Sequence, residues 1–392
     1  MSRNPIIIIG AGPAGLMAAQ QLAIQGYKVH VYEQNKAAAR KFLVAGDGGF
    51  NLTHSEPIDA FVEKYATAFV RDIVRSFDNK ATVTWLSKIG IPTYVGSSGK
   101  IFPERHIKPI QVLQAWLVYL KELEVSVFYQ FQLVDFDVNN VYLRHKGEIL
   151  AFKYEKLILG LGGASWKKTG SDASWVSMLE QKGINVTPLE SANSGYNTEE
   201  DWSDIEGQAL KNIQIRYKSY TKLGEIVFTS YGVEGGPLYH MNRFTRKDIF
   251  PLELEIDLKP NMSVDSIMDK LTGVGSVVSL LKTKVKLSKT AIALLKRLDK
   301  DVFIDSRSLA MAIKRYPIHV TGLRPIEEVI STAGGVSFEE LDENLALYRF
   351  PKVHCVGEMI DWEAPTGGYL LQGCFSTGAW VAKAISYPHD AL

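Results

Sequence analysis

Apolar and polar positions along this chain fall into blocks of different period. Ile6 to Ile9 are four apolar residues in a row, the pattern of a strand covered on both faces of a parallel sheet. Glycines follow, then a predicted helix with Gly26 where a C-cap glycine belongs. A second strand, Lys28 to Tyr32, ends at Glu33. Phe61, Tyr65, Phe69, Ile73 and Phe77 recur every four residues and predict one helix burying an aromatic face. Trp85, Leu86 and Ile89 predict a second helix, stopped by Gly90, and 91–103 reads as a loop. Val112, Leu113, Trp116, Leu117 and Leu120 mark the inward face of a helix over 111–122.

Short β-rich runs at 125–131, 133–138, 141–145 and 149–154, with turns at Asn139-Asn140 and Lys146-Gly147, predict a four-stranded meander. A buried strand then runs from Lys156 into Gly160, Gly162 and Gly163, a return to the parallel sheet. From about Ser191 the period changes. Residues 213–218, 225–229 and 252–258 alternate apolar and polar, as half-exposed antiparallel strands do. Residues 263–316 are helical in pattern. After Pro325 the first texture resumes, with a strand from Val353 to Val356, a loop from Trp362 to Gly368 and a closing helix over 371–386. The expected organisation is a discontinuous nucleotide domain, 1–190 and 323–392, holding a β-rich insert, 191–262, and a small helical domain, 263–322.

Composition narrows this picture. A chain of 392 residues exceeds one ordinary core. Its 46% hydrophobic and 22% charged content is that of a soluble globular protein, and a net charge of +1 gives no whole-molecule argument for nucleic acid or membrane. Two cysteines, Cys355 and Cys374, make no C-x-x-C pair, so a reducing compartment and no structural metal are expected. No apolar run is long enough to span a bilayer and no signal-peptide pattern opens the chain, so the expected location is cytoplasmic, without a membrane partner. One local departure stands out. Between Lys282 and Arg315, ten cations face three anions. Such a run is either a solvated helix face or a docking patch for an anionic partner such as structured RNA.

The candidate chemistry begins in the first turn. Gly10 permits a tight bend, Gly12 lets backbone approach a pyrophosphate, and Gly15 lets the helix lie close to the strand. The helix start offers unpaired N–H groups and a positive dipole end. Glu33 is placed to accept from a ribose 2′-OH. Strand, G-x-G-x-x-G, helix, strand and acid together indicate a dinucleotide. Arg40 and Lys41 precede a glycine-rich loop, Gly46 to Gly49, that continues to Asn51, Thr53, His54 and Ser55. Two cations near a pyrophosphate can neutralise it, and such glycines let N–H groups face a ligand. The C-terminal return, Gly357-Glu358 and then Gly367-Gly368-Tyr369, suits the flavin end of FAD, where helix-start N–H groups can face the N1–C2=O edge.

Four motifs carry a resemblance: the opening fingerprint, Arg40-Lys41 with Gly48 to Ser55, Thr332 to Val336, and Gly357 to Asp361 with Thr366 to Tyr369. Together they resemble the BaiN/YhiN-type flavoproteins (3-dehydro-bile-acid-reductase-like, with aminoacetone-oxidase-like members). The resemblance implies an α/β fold: a glutathione-reductase-type, FAD-binding Rossmann domain interrupted by a β-barrel-like domain and a small helical domain. It implies FAD contacts at Gly10, Gly12, Ala14, Gly15, Glu33, Arg40, Lys41, Asn51, Thr53, Val134, Gly162, Gly163, Gly357, Glu358, Asp361, Gly368 and Tyr369, with Val134 giving backbone contacts to adenine. Leu370 stands where many members have Asn, and the Asp361 to Pro365 loop marks a distinct branch, so substrates do not transfer automatically.

Flavin supplies hydride chemistry at N5, while protein orients the partner. No second complete strand–G-x-G-x-x-G–helix unit is present, so NAD(P)H is expected only as a transient donor. Three readings stay open. The first is an FAD-dependent NAD(P)H oxidoreductase or oxidase, reducing a conjugated C=C of a small molecule or oxidising an amine. The second, which the resemblance permits, is reduction of a pyrimidine in ribosomal RNA to dihydrouridine, with the Lys282–Arg315 segment on phosphate. The third is a non-catalytic flavin-binding protein. His54, Tyr231 and Tyr369 are the candidate proton donors; Tyr231 lies in a glycine-rich stretch of the insert, 228–237, expected to be a loop able to cover the flavin. Cys374 reads as a small buried residue, with nothing basic beside it in sequence.

Overall fold

A computed structural model describes residues 4–44 and 49–386. Gly46, Asp47 and Gly48 of the glycine-rich loop lie outside the described residues. The chain divides into two compact units, Met1–Glu190 with Ser331–Leu392, and Ser191–Ile330. The second unit thus runs on to residue 330, past the return at 323 read from the sequence.

The first unit is built on a six-stranded sheet. The opening strand Ile6–Ile9 lies at its centre, fully buried, flanked in parallel by Val29–Glu33 and Leu157–Leu159. Phe350–Cys355 adds in parallel beyond Leu157–Leu159, and Ala346–Leu347 closes that edge antiparallel. Four consecutive isoleucines form this strand because both faces meet helices and neither meets water. The first helix, Pro13–Ile24, and the closing helix, Tyr369–Ser386, cross so tightly that a Cβ on Gly378 would lie 2.3 Å from the Ala14 carbonyl oxygen. A helix crossing of that closeness requires glycine.

Three expectations change here. Residues 91–103, read as a loop, hold the strands Thr93–Val95 and Lys100–Pro103, paired antiparallel. The four-residue aromatic period is not one helix but two, Ile58–Val62 and Ala68–Ser76. Thr67 accepts from the Val70 amide and restarts the chain as an N-cap, while Phe61, Tyr65 and Ile73 all still reach the core. The meander has three strands, Gln132–Phe136, Asn140–His145 and Glu148–Lys153. The first predicted run, Ser126–Tyr129, instead pairs in parallel with Val29–Glu33 as the edge of the main sheet. It follows directly on helix Pro109–Glu122, so it arrives in a crossover's direction and not a hairpin's.

The second unit holds a seven-stranded antiparallel sheet whose middle pairs Ala209–Tyr217, Tyr220–Thr229 and Leu252–Asp257. Tyr316–Val320 flanks the last of these. Helices Val264–Leu271, Val277–Thr283, Lys289–Leu295 and Ser306–Lys314 occupy the predicted helical stretch. The expected glycine-rich loop at 228–237 is mostly ordered: Gly232–Glu234 is a strand and Gly236 opens a helix to Thr245, with Pro237 in its first turn. Each unit has its own hydrophobic core, and among the described residues none is in both.

Candidate functional site

The opening turn shows which glycines serve the chain and which serve a ligand. Gly10 has φ +100°, and a Cβ there would lie 2.3 Å from the Gly160 carbonyl oxygen. A Cβ on Gly15 would lie 2.1 Å from the Gly10 carbonyl oxygen. Both are dictated by neighbouring backbone. Gly12 differs: nothing lies within 4 Å of its absent side chain, and its φ of −82° suits any residue. It caps helix Pro13–Ile24 without a side-chain bond, so the amides of Ala14 and Gly15 in the first turn have no side-chain cap, and Gly12, Pro13 and Ala14 line a cleft. That is the arrangement a phosphate uses.

Glu33 ends its strand almost buried. Its Oε2 accepts from the Ala11 amide at 3.0 Å, and its Oε1 from the Asn35 amide and Nδ2 at 2.8 and 2.7 Å. A carboxylate has about four acceptor positions, so room remains for a hydroxyl. Arg40 is aligned through Asn35, whose Oδ1 accepts from its Nη1 at 2.8 Å.

The facing wall comes from the other end of the chain. Lys41 Nζ lies 2.6 Å from both Glu358 Oε2 and Ser165 Oγ. Glu358 Oε1 accepts from the Thr332 amide at 3.0 Å. The Thr332 hydroxyl is buried without a partner, and a Cβ on Gly163 would fall 1.9 Å from it, so Gly163 makes room for Thr332. Lys41 neutralises Glu358, so this wall does not repel an anion.

Between the walls runs a cleft of about 370 Å³, within the range of small-molecule sites. Ten predicted residues line it: Gly10, Gly12, Ala14, Glu33, Arg40, Lys41, Val134, Gly162, Gly357 and Glu358. Val134 stands where the ladder between Gln132–Phe136 and Asn140–His145 slips register, outside the paired positions. A bulge of this kind turns backbone groups away from the sheet. Gly15, Asn51, Thr53, Gly163, Asp361, Gly368 and Tyr369 lie outside its walls. Thr53 is buried and its hydroxyl donates to Gln372 Oε1 at 2.8 Å. Gly368 packs on it so closely that a Cβ would lie 2.5 Å from the Thr53 carbonyl carbon. The Asp361 amide donates to the Val336 carbonyl at 3.0 Å. Ser171 and Trp175, which no sequence signal marks, also line the cleft. Their side chains donate to the carbonyls of Gly163 and Gly162 at 2.9 and 3.0 Å and hold that turn. Neither sits in a motif, and only the fold brings them there.

The three candidate proton donors are all engaged. His54 Nδ1 accepts from the Glu56 amide at 3.1 Å, which leaves Nε2 to donate to the Ser98 carbonyl at 2.9 Å. Its ring stacks on Tyr369 at 5.5 Å. The Tyr369 hydroxyl donates to Glu56 Oε1, and burial, followed by that bond and the Glu56 charge, holds the phenol well above its ordinary pKa. Tyr231, in the second unit, donates to Glu234 Oε2 at 2.5 Å beneath the Arg324 guanidinium. Burial and the Glu234 bond push it up too. Cys374 touches the cleft, but burial, reinforced by Glu358, raises its thiol to about 12, so it is no nucleophile. Among the described residues no cluster of His, Cys, Asp and Glu is arranged to hold a metal, and no helix is long and apolar enough to cross a membrane.

Comparison with known proteins finds the family described as HI0933-like protein Rossmann domain matching residues 4–384. A ribosomal RNA dihydrouridine synthase of Haemophilus influenzae is 24% identical over 97% of this chain and 98% of its own. A protein of the same name from Escherichia coli strain K12 is 21% identical over 97% of each. Among solved structures, a 3-ketosteroid-Δ4-(5α)-dehydrogenase of Rhodococcus jostii RHA1 superposes with a TM-score of 0.52 at 13% identity, covering 98% of this chain and 97% of that one. The open form of a flavocytochrome c3 fumarate reductase gives 0.53 at 12%, covering 98% and 78%. At such identities these two likenesses concern the fold.

Proposed function

Since the chain belongs to the HI0933-like Rossmann family, we propose that it is an FAD-dependent oxidoreductase that delivers a hydride to a conjugated C=C. The observation that carries this reading is a cleft walled by both ends of one unit, with an open glycine at a helix start on one side and the Lys41–Glu358 pair on the other.

The residues present fit the cofactor. Glu33 keeps an acceptor position for a ribose hydroxyl. The first-turn amides beside Gly12 suit pyrophosphate oxygens, and Arg40 and Lys41 offset their charge. Val134 offers backbone to adenine. Gly368 and Tyr369, at the start of the closing helix, are assigned to the flavin end through backbone N–H groups, whereas the Asn51 and Asp361 amides and the Thr53 hydroxyl are already used within the chain. FAD, when bound, supplies the hydride step, and NAD(P)H is its proposed reductant. Around it the chain seats the partner and keeps a proton on Tyr369, backed by Glu56 and by Lys64 at 3.6 Å from that carboxylate.

The favoured acceptor is a uracil ring in ribosomal RNA, whose C5=C6 bond is conjugated to a carbonyl. Two relatives that bear the name ribosomal RNA dihydrouridine synthase and match end to end support it. A small conjugated molecule is the second reading. Anaerobic titration of the purified protein with NADPH tests the core proposal. Flavin absorbance at about one FAD per chain, bleached by NADPH and restored by acceptor, is expected. A protein that retains no FAD, or whose flavin no reductant bleaches, sinks it.

A further inference from the structure

The second unit carries a charge distribution that the cofactor cleft does not use. From Leu271 to Leu298 there is no acidic residue, and six cations: Lys282, Lys284, Lys286, Lys289, Lys296 and Arg297. All six are exposed. Arg297 pairs with Asp204; the five lysines make no ion pair among the described residues. The run Lys282 to Lys289 shows why they project together. Leu281 just before it, and Val285 and Leu287 within it, are buried in the unit's core, and the last two anchor the chain between lysines that face water. Lys282 closes helix Val277–Thr283, and Lys289 opens helix Lys289–Leu295. Lys286 extends the patch toward Lys259, which burial first and the Lys286 charge second hold below the ordinary lysine range.

We propose that this lysine surface is the docking face for the phosphate backbone of structured RNA. The proposal rests on the RNA reading of the acceptor given above and adds the surface that would hold that substrate. Charge complementarity selects a polyanion, and the side chains present select which kind. No aromatic residue occurs from Leu271 to Leu298, so the face offers neither an interfacial membrane anchor nor a platform for stacked bases. Its unpaired cations are all lysines, point charges suited to phosphate and not to bidentate reading of base edges. Binding through it is therefore sequence-tolerant, setting grip and register while base choice is made elsewhere.

The test uses holoprotein and a fluorescently labelled RNA hairpin, with phosphatidylserine-rich vesicles as the competing polyanion surface. Wild-type affinity for the hairpin should fall steeply with KCl. The triple variant Lys282→Gln, Lys284→Gln, Lys286→Gln should bind at least about tenfold more weakly, with its logarithmic salt dependence reduced by about two to three, as three lost phosphate contacts require. The triple Lys→Arg variant should bind like wild type, since charge and not chain identity is at work. Unchanged affinity and salt dependence in the Gln variant overturn the proposal, as does wild type that binds vesicles but not RNA. FAD content and NADPH bleaching are read on the same preparations. Loss of RNA binding with both intact bears on this face; failure of bleaching with RNA binding intact bears on the oxidoreductase reading.

Discussion

Two glycines on either side of Ala11 in the same turn carry opposite burdens. Gly10 needs a left-handed backbone and touches the Gly160 carbonyl, whereas Gly12 has ordinary dihedrals and faces emptiness. Gly10→Ala should therefore cost about 2–4 kcal/mol of stability through strain and overlap. Gly12→Ala should change stability by no more than about 0.5 kcal/mol and yet weaken FAD at least about tenfold, its methyl standing where phosphate approaches. Urea denaturation of the apoproteins with FAD titration separates the two; a Gly12→Ala protein that binds FAD normally would remove Gly12 from the site. A second residue couples the fold to pH. His354 is buried, its Nδ1 donates to the Asn344 carbonyl at 3.1 Å, and its Nε2 has no partner. Burial pushes its pKa down to about 4, with Lys156 adding to the effect and the Asn344 bond opposing it. The unfolded chain takes up this proton near pH 6.5 and the folded chain only near pH 4. Stability from keeping the ring neutral is thus complete above about pH 6.5 and is lost as pH falls toward about 4, up to about 3 kcal/mol in all. A His354→Phe variant should show a flatter stability profile than wild type between about pH 7 and about pH 5; parallel profiles would show that His354 does not titrate this way.

At the level of elements, legibility followed how local each signal was. The opening strand, turn and helix were readable because every cause is within a few residues: apolar run, glycines, cap. So was Glu33, whose bond to the Ala11 amide closes within the same βαβ unit. The helix at 61–77 was misread as continuous because a four-residue period survives a break when both halves face one core. Only Thr67, a good N-cap in mid-run, marked the join. Ser126–Tyr129 reads like its hairpin neighbours, and its parallel pairing is decided by the helix before it, a tertiary fact. The same limit applies to the site. The facing wall needs Lys41, Ser165, Thr332 and Glu358, separated by up to 317 positions, to meet. Motif resemblance reached Lys41 and Glu358. It could not reach Ser171 or Trp175, whose part is to hold a turn by side-chain donors.

The whole molecule holds two cores that share no buried residue among those described. The cleft lies in the unit of 1–190 and 331–392, and the lysine face in the unit of 191–330. Ligands that bind only the folded state raise its stability by mass action, by about 2.7 kcal/mol at a hundred times Kd. That gain belongs to the unit that makes the contacts. Units with separate cores need not unfold as one two-state system. Calorimetry should therefore resolve two transitions. Excess FAD should move one upward by several degrees and leave the other in place. A structured RNA at low salt should move the transition that FAD leaves. One cooperative transition shifting whole with FAD would mean that the two cores are energetically a single body. If both ligands moved the same transition while the other stayed, RNA would dock on the cofactor unit, and the lysine face would lose its assigned role.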